Sequence, residues 1–237
     1  MFLALTSFSK DERITREYLR EVADALEFQL GAHYAGMWDA LGCRVRVYSD
    51  PGSLSDNGEE CPLVVFDDAD QADALGWHSV DPYGRAFARA FWSPIQGAGG
   101  TLKEGALSLS VTLSHEALEM VGNPYVNFWA DVDGATQEAV ELCDRVQGDS
   151  YRIGNVSVSN FLGPRAFREG RGPYDYLDVT KHPFEIRDTG YAIRRAGDAV
   201  YPVFGNSVAD WKRDLVYGRT SRMSKRMGML QQTRKEP

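Results

Sequence analysis

Apolar and polar positions along the chain switch between two periods, and each switch marks an element. Residues 2–6 form a short apolar run that predicts a strand. Within 15–30, Tyr18, Leu19, Val22, Ala25, Leu26 and Leu30 recur at helical spacing with charges on the other face. A helix is expected there, with Ser9 or Asp11 as its cap and Gly31 as its stop. Residues 43–48 alternate and are β-branched, which predicts a strand before the Asp50-Pro51-Gly52 turn. Residues 62–66 read as a buried strand, 69–76 as a short acidic helix or turn, and 76–81 as a turn. Residues 85–92 alternate Arg85, Phe87, Arg89 and Phe91, and the arginines predict a half-exposed or edge strand. A glycine-rich connection, 97–100, leads to a helix over 107–121 that Gly122-Asn123-Pro124 terminates. Strands are expected over 137–146 and 151–161, and a hairpin over 191–195 and 200–204. The order predicts an α+β fold with a mixed sheet. It divides into a main domain over 1–165, an irregular extension with a hairpin over 166–206, and an extended C-terminal arm over 207–237.

The helix over 107–121 carries the candidate chemistry. His115 and Glu119 are four residues apart, so they share a face and can grip one cation. Glu116 lies about 100° further round the helix and can reach a water beside that cation as a general base. The flanking Leu109, Leu113, Leu118 and Val121 make this a core helix, where a buried charged pair needs a partner or a metal. One His and one Glu do not complete a site. Downstream, Glu141 and Cys143 would share one side of the expected strand with Asp144 at its end, so Glu141 or Asp144 supplies the next ligand. Such a set accepts Zn²⁺, and its carboxylate content also admits manganese, magnesium or calcium. His78 reads first as an ordinary loop histidine, with a fourth donor or a substrate contact as the other readings.

Composition sharpens this picture by exclusion. With 43% hydrophobic and 25% charged residues in 237, the chain is neither disordered nor a disulfide-rich mini-protein. No apolar run is long enough for a membrane span, and no signal-peptide pattern develops after the first six residues, so a cytoplasmic protein is expected and no membrane partner. Cys43, Cys61 and Cys143 form no CxxC pair and read as reduced thiols. The net charge of -8 hides an asymmetry. From Lys212 onward eight basic residues face two acidic ones, a +6 segment on a -14 body. That arm suits an acidic protein surface, a neighbouring copy of the chain, or nucleic acid.

The spacing of His115, Glu116 and Glu119 resembles the HExxH helix of zincin-type metallopeptidases, with Glu119 in place of the second histidine. More narrowly, SVTLSHEALE, then Asn-Pro, ELCD and VSNF, resembles zincin-like proteins of phages and bacteria with that pattern. The resemblance covers about a third of the chain. It implies a zincin-like fold in which an edge strand precedes the active-site helix, with His115 as metal ligand, Glu116 as base and Glu119 in the second ligand position. It further implies a virion-associated structural protein that binds other virion proteins or itself through the arm and carries a relict peptidase site. The alternative is an active metal-dependent peptidase or amide hydrolase.

Overall fold

The computed structural model describes residues 1–54, 60–70, 74–218 and 220. The architecture is α+β. A five-stranded sheet is built from β1 (Phe2–Ser7), β2 (Arg44–Val47), β3 (Glu60–Phe66), β4 (Gly76–Val80) and β5 (Ala86–Phe91), in the order β2-β1-β3-β5-β4. β1, β2, β3 and β5 run parallel, and β4 alone is antiparallel to its neighbour. β1 is interior, between β2 and β3, and its Leu3, Ala4 and Leu5 are fully buried. This is the continuous apolar signature of a strand covered on both faces.

Two helices pack against one face of this sheet, α1 (Arg16–Phe28) and α4 (Leu109–Gly122). Leu19, Val22 and Leu26 of α1 and Leu113, Ala117 and Met120 of α4 join Leu3, Leu5, Leu63, Val65 and Ala88 in one core. Burying a leucine or valine of this kind contributes about 1.5–3 kcal/mol. The cap of α1 is Thr15, whose hydroxyl accepts from Tyr18 N at 3.1 Å, and not Ser9 or Asp11. Asp11 instead closes its own turn, accepting from Arg13 N at 3.0 Å. Gly31 does not stop the helix either. The chain continues through a wider π-type turn, Gln29–Tyr34, into α2 (Ala35–Trp38), because Leu30 and Tyr34 are both buried on the core side.

The edge of the sheet is not where the arginine alternation placed it. β5 is flanked on both sides, by β3 and β4, and β4 is the edge strand on that side of the described sheet. Alternation reports which face of a strand is wet, not whether the strand has neighbours. Arg89 lies on the face away from the helices, 5.1 Å from the Trp77 ring centre and paired with Asp70. Residues 76–80, expected as a turn, are therefore strand, and the turn follows them at 81–84.

After β5, the short α3 (Trp92–Gly97) leads to α4. β6 (Trp129–Asp131), β7 (Thr136–Ala139), β10 (Tyr191–Ala196) and β11 (Ala199–Phe204) form a second, antiparallel sheet in the order β11-β10-β7-β6. The expected hairpin is β10–β11, and β10 pairs with β7 as well. The strand expected over 137–146 ends at Ala139. Leu142, Cys143, Asp144 and Arg145 are buried in succession, which no strand with one wet face permits, and the chain there is irregular with one 3₁₀ turn, Asp144–Val146. The strand expected over 151–161 is a hairpin, β8 (Ser150–Ile153) and β9 (Val156–Ser159), reversing at Gly154 with φ 60°.

The expected arm begins as a helix over 210–218, and Val216 packs with Ala139, Tyr191, Ile193 and Val200. Arg219 and residues 221–237, with most of the arm's basic side chains, lie outside the described residues. Among the described residues no helix is long and apolar enough to cross a membrane.

Candidate metal centre

The rotation of α4 about its axis is set by polar ties that have no solvent to compete with them. The hydroxyl of Ser108 caps the helix, accepting from Val111 N at 3.3 Å. Ser110 Oγ donates to Ser157 O at 2.7 Å. One turn later, Ser114 Oγ donates to Gln29 Oε1 at 2.7 Å and accepts from Ser159 N at 2.9 Å. With Ser110 and Ser114 locked to β9 and to the π-type turn after α1, His115, Glu116 and Glu119 must face the edge of the sheet and the irregular segment after β7.

His78 enters through strand register. It pairs with Ala88 of β5, Ala88 with Leu63 of β3, and Leu63 with Leu5 of β1. That row of positions faces the helices, so the imidazole projects from β4 onto α4 and is 4% exposed. Its Nδ1 lies 3.3 Å from Glu119 Oε2 and 3.6 Å from Glu116 Oε2, and its Nε2 lies 3.8 Å from Glu141 Oε2. Gly76 makes this approach feasible. A Cβ there would sit 2.7 Å from Thr112 Cγ2 and 2.8 Å from Glu116 Oε1.

The other side of Glu119 faces His115. His115 Nε2 lies 3.2 Å from Glu119 Oε1 and 3.3 Å from Asp144 Oδ1. The segment carrying Glu141, Cys143 and Asp144 is pinned beneath α4. Asn123 Nδ2 donates to Val140 O at 3.2 Å, Leu162 N to Leu142 O at 2.7 Å, and Cys143 N to Glu119 Oε1 at 3.3 Å. At Gly122 a Cβ would strike Leu142 at 2.5 Å, so the close approach of this segment requires glycine. Cys143 is free and buried, and its thiol points to His115 O at 3.8 Å. A donor atom of Cys143 lies within 4.8 Å of donors on His115 and Glu119, and the same holds for His78, Glu119 and Glu141.

All the residues anticipated for the site therefore converge: His115, Glu116, Glu119, Glu141 and Asp144. Glu141 and Asp144 are not alternatives. They lie on opposite sides of Glu119, Glu141 beside His78 and Asp144 beside His115. His78, read first as a loop histidine, is at the centre. The signal that could have found it is the stretch Gly76-Trp77-His78-Ser79-Val80, whose alternation is hidden by the turn residues before and after it.

The electrostatics are those of a crowded, dry cluster. Burial alone would depress the His78 imidazole, but the carboxylates of Glu116, Glu119 and Glu141 push it up to about 10. His115 is likewise raised well above its ordinary value by Glu119 and Asp144, against the effect of burial. Burial raises Glu116, whereas the two histidines carry Glu119 well below the usual carboxylate range. Burial and the Glu119 charge hold the Cys143 thiol protonated.

A cation fits this donor set. His78 Nε2, Glu116 Oε2 and Asp144 Oδ2 are buried without a hydrogen-bond partner among the described residues. Imidazolium–carboxylate hydrogen bonds close to about 2.7–2.9 Å. The N···O separations here are wider, 3.2–3.8 Å. Two donors bound to one tetrahedral Zn²⁺ lie roughly 3.3–3.5 Å apart, close to the separations around His115. A cavity of about 400 Å³ opens on this cluster. Its walls include His115, Glu116, Glu119 and Asp144 on one side and Trp211, Lys212 and Val216 of the 210–218 helix on the other.

No family model matches the chain, and no curated protein or solved structure matches it either.

Proposed function

We propose that this chain is a zincin-like, metal-dependent hydrolase acting on a peptide or a related amide. The observation that carries the reading is the His115 imidazole facing Glu119 and Asp144 at 3.2 and 3.3 Å beside the buried Glu116 carboxylate, all on the wall of one cavity. His115, Glu119 and Asp144 would hold the ion, with the Cys143 thiol near enough to join or replace one of them. Imidazole with carboxylate, and a thiol in reserve, favours Zn²⁺ over magnesium or calcium. A divalent ion bound there supplies Lewis acidity, polarising a carbonyl and making water more acidic.

The chain's own residues do the rest. Glu116 takes the proton of the attacking water and returns it to the leaving amine. Its raised affinity for protons suits both halves of that task. His78, behind Glu116 and Glu119, holds both carboxylates in place. The antiparallel edge strand over α4 supports the zincin-like reading of the fold.

Metal analysis together with the His115→Ala and Glu116→Gln variants tests this. The expected result is bound zinc in the native chain, less bound zinc in His115→Ala, and zinc retained without peptide hydrolysis in Glu116→Gln. A folded native chain that takes up less than about a tenth of an equivalent of zinc overturns it.

A particle-associated role is the second reading, supported by the phage resemblance and by the +6 charge from Lys212 onward. A chain ending at Thr220 would keep the packed helix and remove most of that charge. It is expected to be excluded from particles that incorporate the full chain, and equal incorporation overturns this role.

A further inference from the structure

The same cluster holds a second set of donors that the single-ion reading leaves idle. Glu119 is two-sided: Oε1 faces His115 and Oε2 faces His78. On the His78 side, donors of His78, Glu119 and Glu141 lie within 4.8 Å of one another, and all three residues are buried. From this geometry we infer a second divalent-cation site formed by His78, Glu119 and Glu141, with the Glu119 carboxylate bridging it to the site at His115. The inference extends the reading above, because Glu119 is common to both sites.

Charge balance admits two ions. Glu116, Glu119, Glu141 and Asp144 are all at most 5% exposed, and a carboxylate in such surroundings needs a countercharge. One dication leaves two of four carboxylate charges to the His78 imidazole and to Lys212 across the cavity. Two dications cancel all four with both imidazoles neutral, which is the ligating form of histidine. The shape of the cluster agrees. His78 side-chain exposure is 1%, and its Nε2 is directed at the Glu141 side without a hydrogen-bond partner. The donor set is one imidazole and two carboxylates, one of them shared. That chemistry suits Zn²⁺ or Mn²⁺, and the carboxylate-bridged pair it builds is an arrangement that clamps both oxygens of a displacement reaction.

The test counts ions on the full-length chain. Protein stripped with a chelator is titrated with zinc chloride, desalted and analysed for zinc by mass spectrometry, and folding is followed by circular dichroism. Two equivalents are expected in the native chain and one in His78→Ala and in Glu141→Gln. Manganese loading is expected to give the exchange-coupled magnetic resonance spectrum of a bridged pair in the native chain and an isolated-ion spectrum in Glu141→Gln. One equivalent in the native chain, lost in His115→Ala and kept in Glu141→Gln, overturns the second site and leaves the first standing. No bound zinc overturns both. If His78→Ala does not fold, the native count and Glu141→Gln decide.

Discussion

Asp175 and Glu119 are both carboxylates removed from solvent, yet they have opposite surroundings. Asp175 accepts from Asn160 Nδ2 at 2.8 Å, Leu177 N at 3.0 Å, Val179 N at 3.2 Å, Thr180 N at 2.7 Å and Thr180 Oγ1 at 2.5 Å. Burial would raise its carboxyl, but the Thr180 and Asn160 hydrogen bonds bring it below the ordinary value. Glu119 has one backbone donor, Cys143 N, and otherwise faces two imidazoles. Three other buried acids stand around those same imidazoles. A fold that can surround Asp175 with five donors did not do so for the cluster around Glu119. The difference separates a buried acid that organises a loop from a group of buried acids suited to taking up a cation.

The comparison can be broken at its strongest point by Asp175→Ala. That change strands several buried donors, and urea unfolding is expected to show a loss of about 3–4 kcal/mol. Glu116→Gln removes a buried charge from a like-charged group, so the metal-free chain should lose less than a third as much. Equal losses in the two variants would erase the distinction. Next in size is the response to metal. Zinc at about a hundred times its dissociation constant should stabilise the native chain by about 2.7 kcal/mol. The same addition should raise the melting temperature of His115→Ala less than that of the native chain and should stabilise Asp175→Asn as much as the native chain. Gly76→Ala should cost about 1–2 kcal/mol, because the new methyl must displace Thr112 or Glu116. Its zinc affinity should fall with it, whereas Gly97→Ala, which meets nothing within 4 Å, should keep the native affinity. The smallest effect concerns pH. Asp175 has a lowered folded-state pKa, so its contribution is present above the unfolded value near 3.8 and is lost as pH falls through the folded one. The urea midpoint of Asp175→Asn should therefore fall less steeply than that of the native chain below about pH 4.

Local pattern reached the helical half of the centre and stopped there. The i, i+4 spacing of His115 and Glu119 and the Gly-Asn-Pro stop are properties of neighbouring residues, and α4 closes at Gly122 as that pattern predicts. Glu141 and Asp144 were legible as downstream acids, but their separation to two sides of Glu119 was not. The segment they occupy is ordered by Asn123, Leu162 and Glu119, which lie at least 17 residues away in sequence from the groups they hold. His78 was hidden for the same reason. Its orientation follows from a register passed across β5, β3 and β1, and nothing within five residues of it records that register. The edge strand was misplaced because Arg89 alternates as an edge residue would, although it is satisfied by Asp70 and stacks over Trp77 on the solvent side.

Arg145 sets a limit on dissection. It follows Asp144 directly, is 2% exposed, and is held from outside its own segment. Its Nη2 donates to Ala166 O at 3.1 Å, its guanidinium lies 4.7 Å from the Phe167 ring centre, and its Nε is 3.1 Å from Glu138. Its backbone carbonyl accepts from Arg187 N at 3.0 Å. A fragment cut at residue 165 would retain every candidate ligand and still lose the groups that seat the neighbour of Asp144. For anyone seeking a minimal version for engineering, the residues that bind are thus fewer than the residues that must be carried along, and the extension after 165 belongs to the second group.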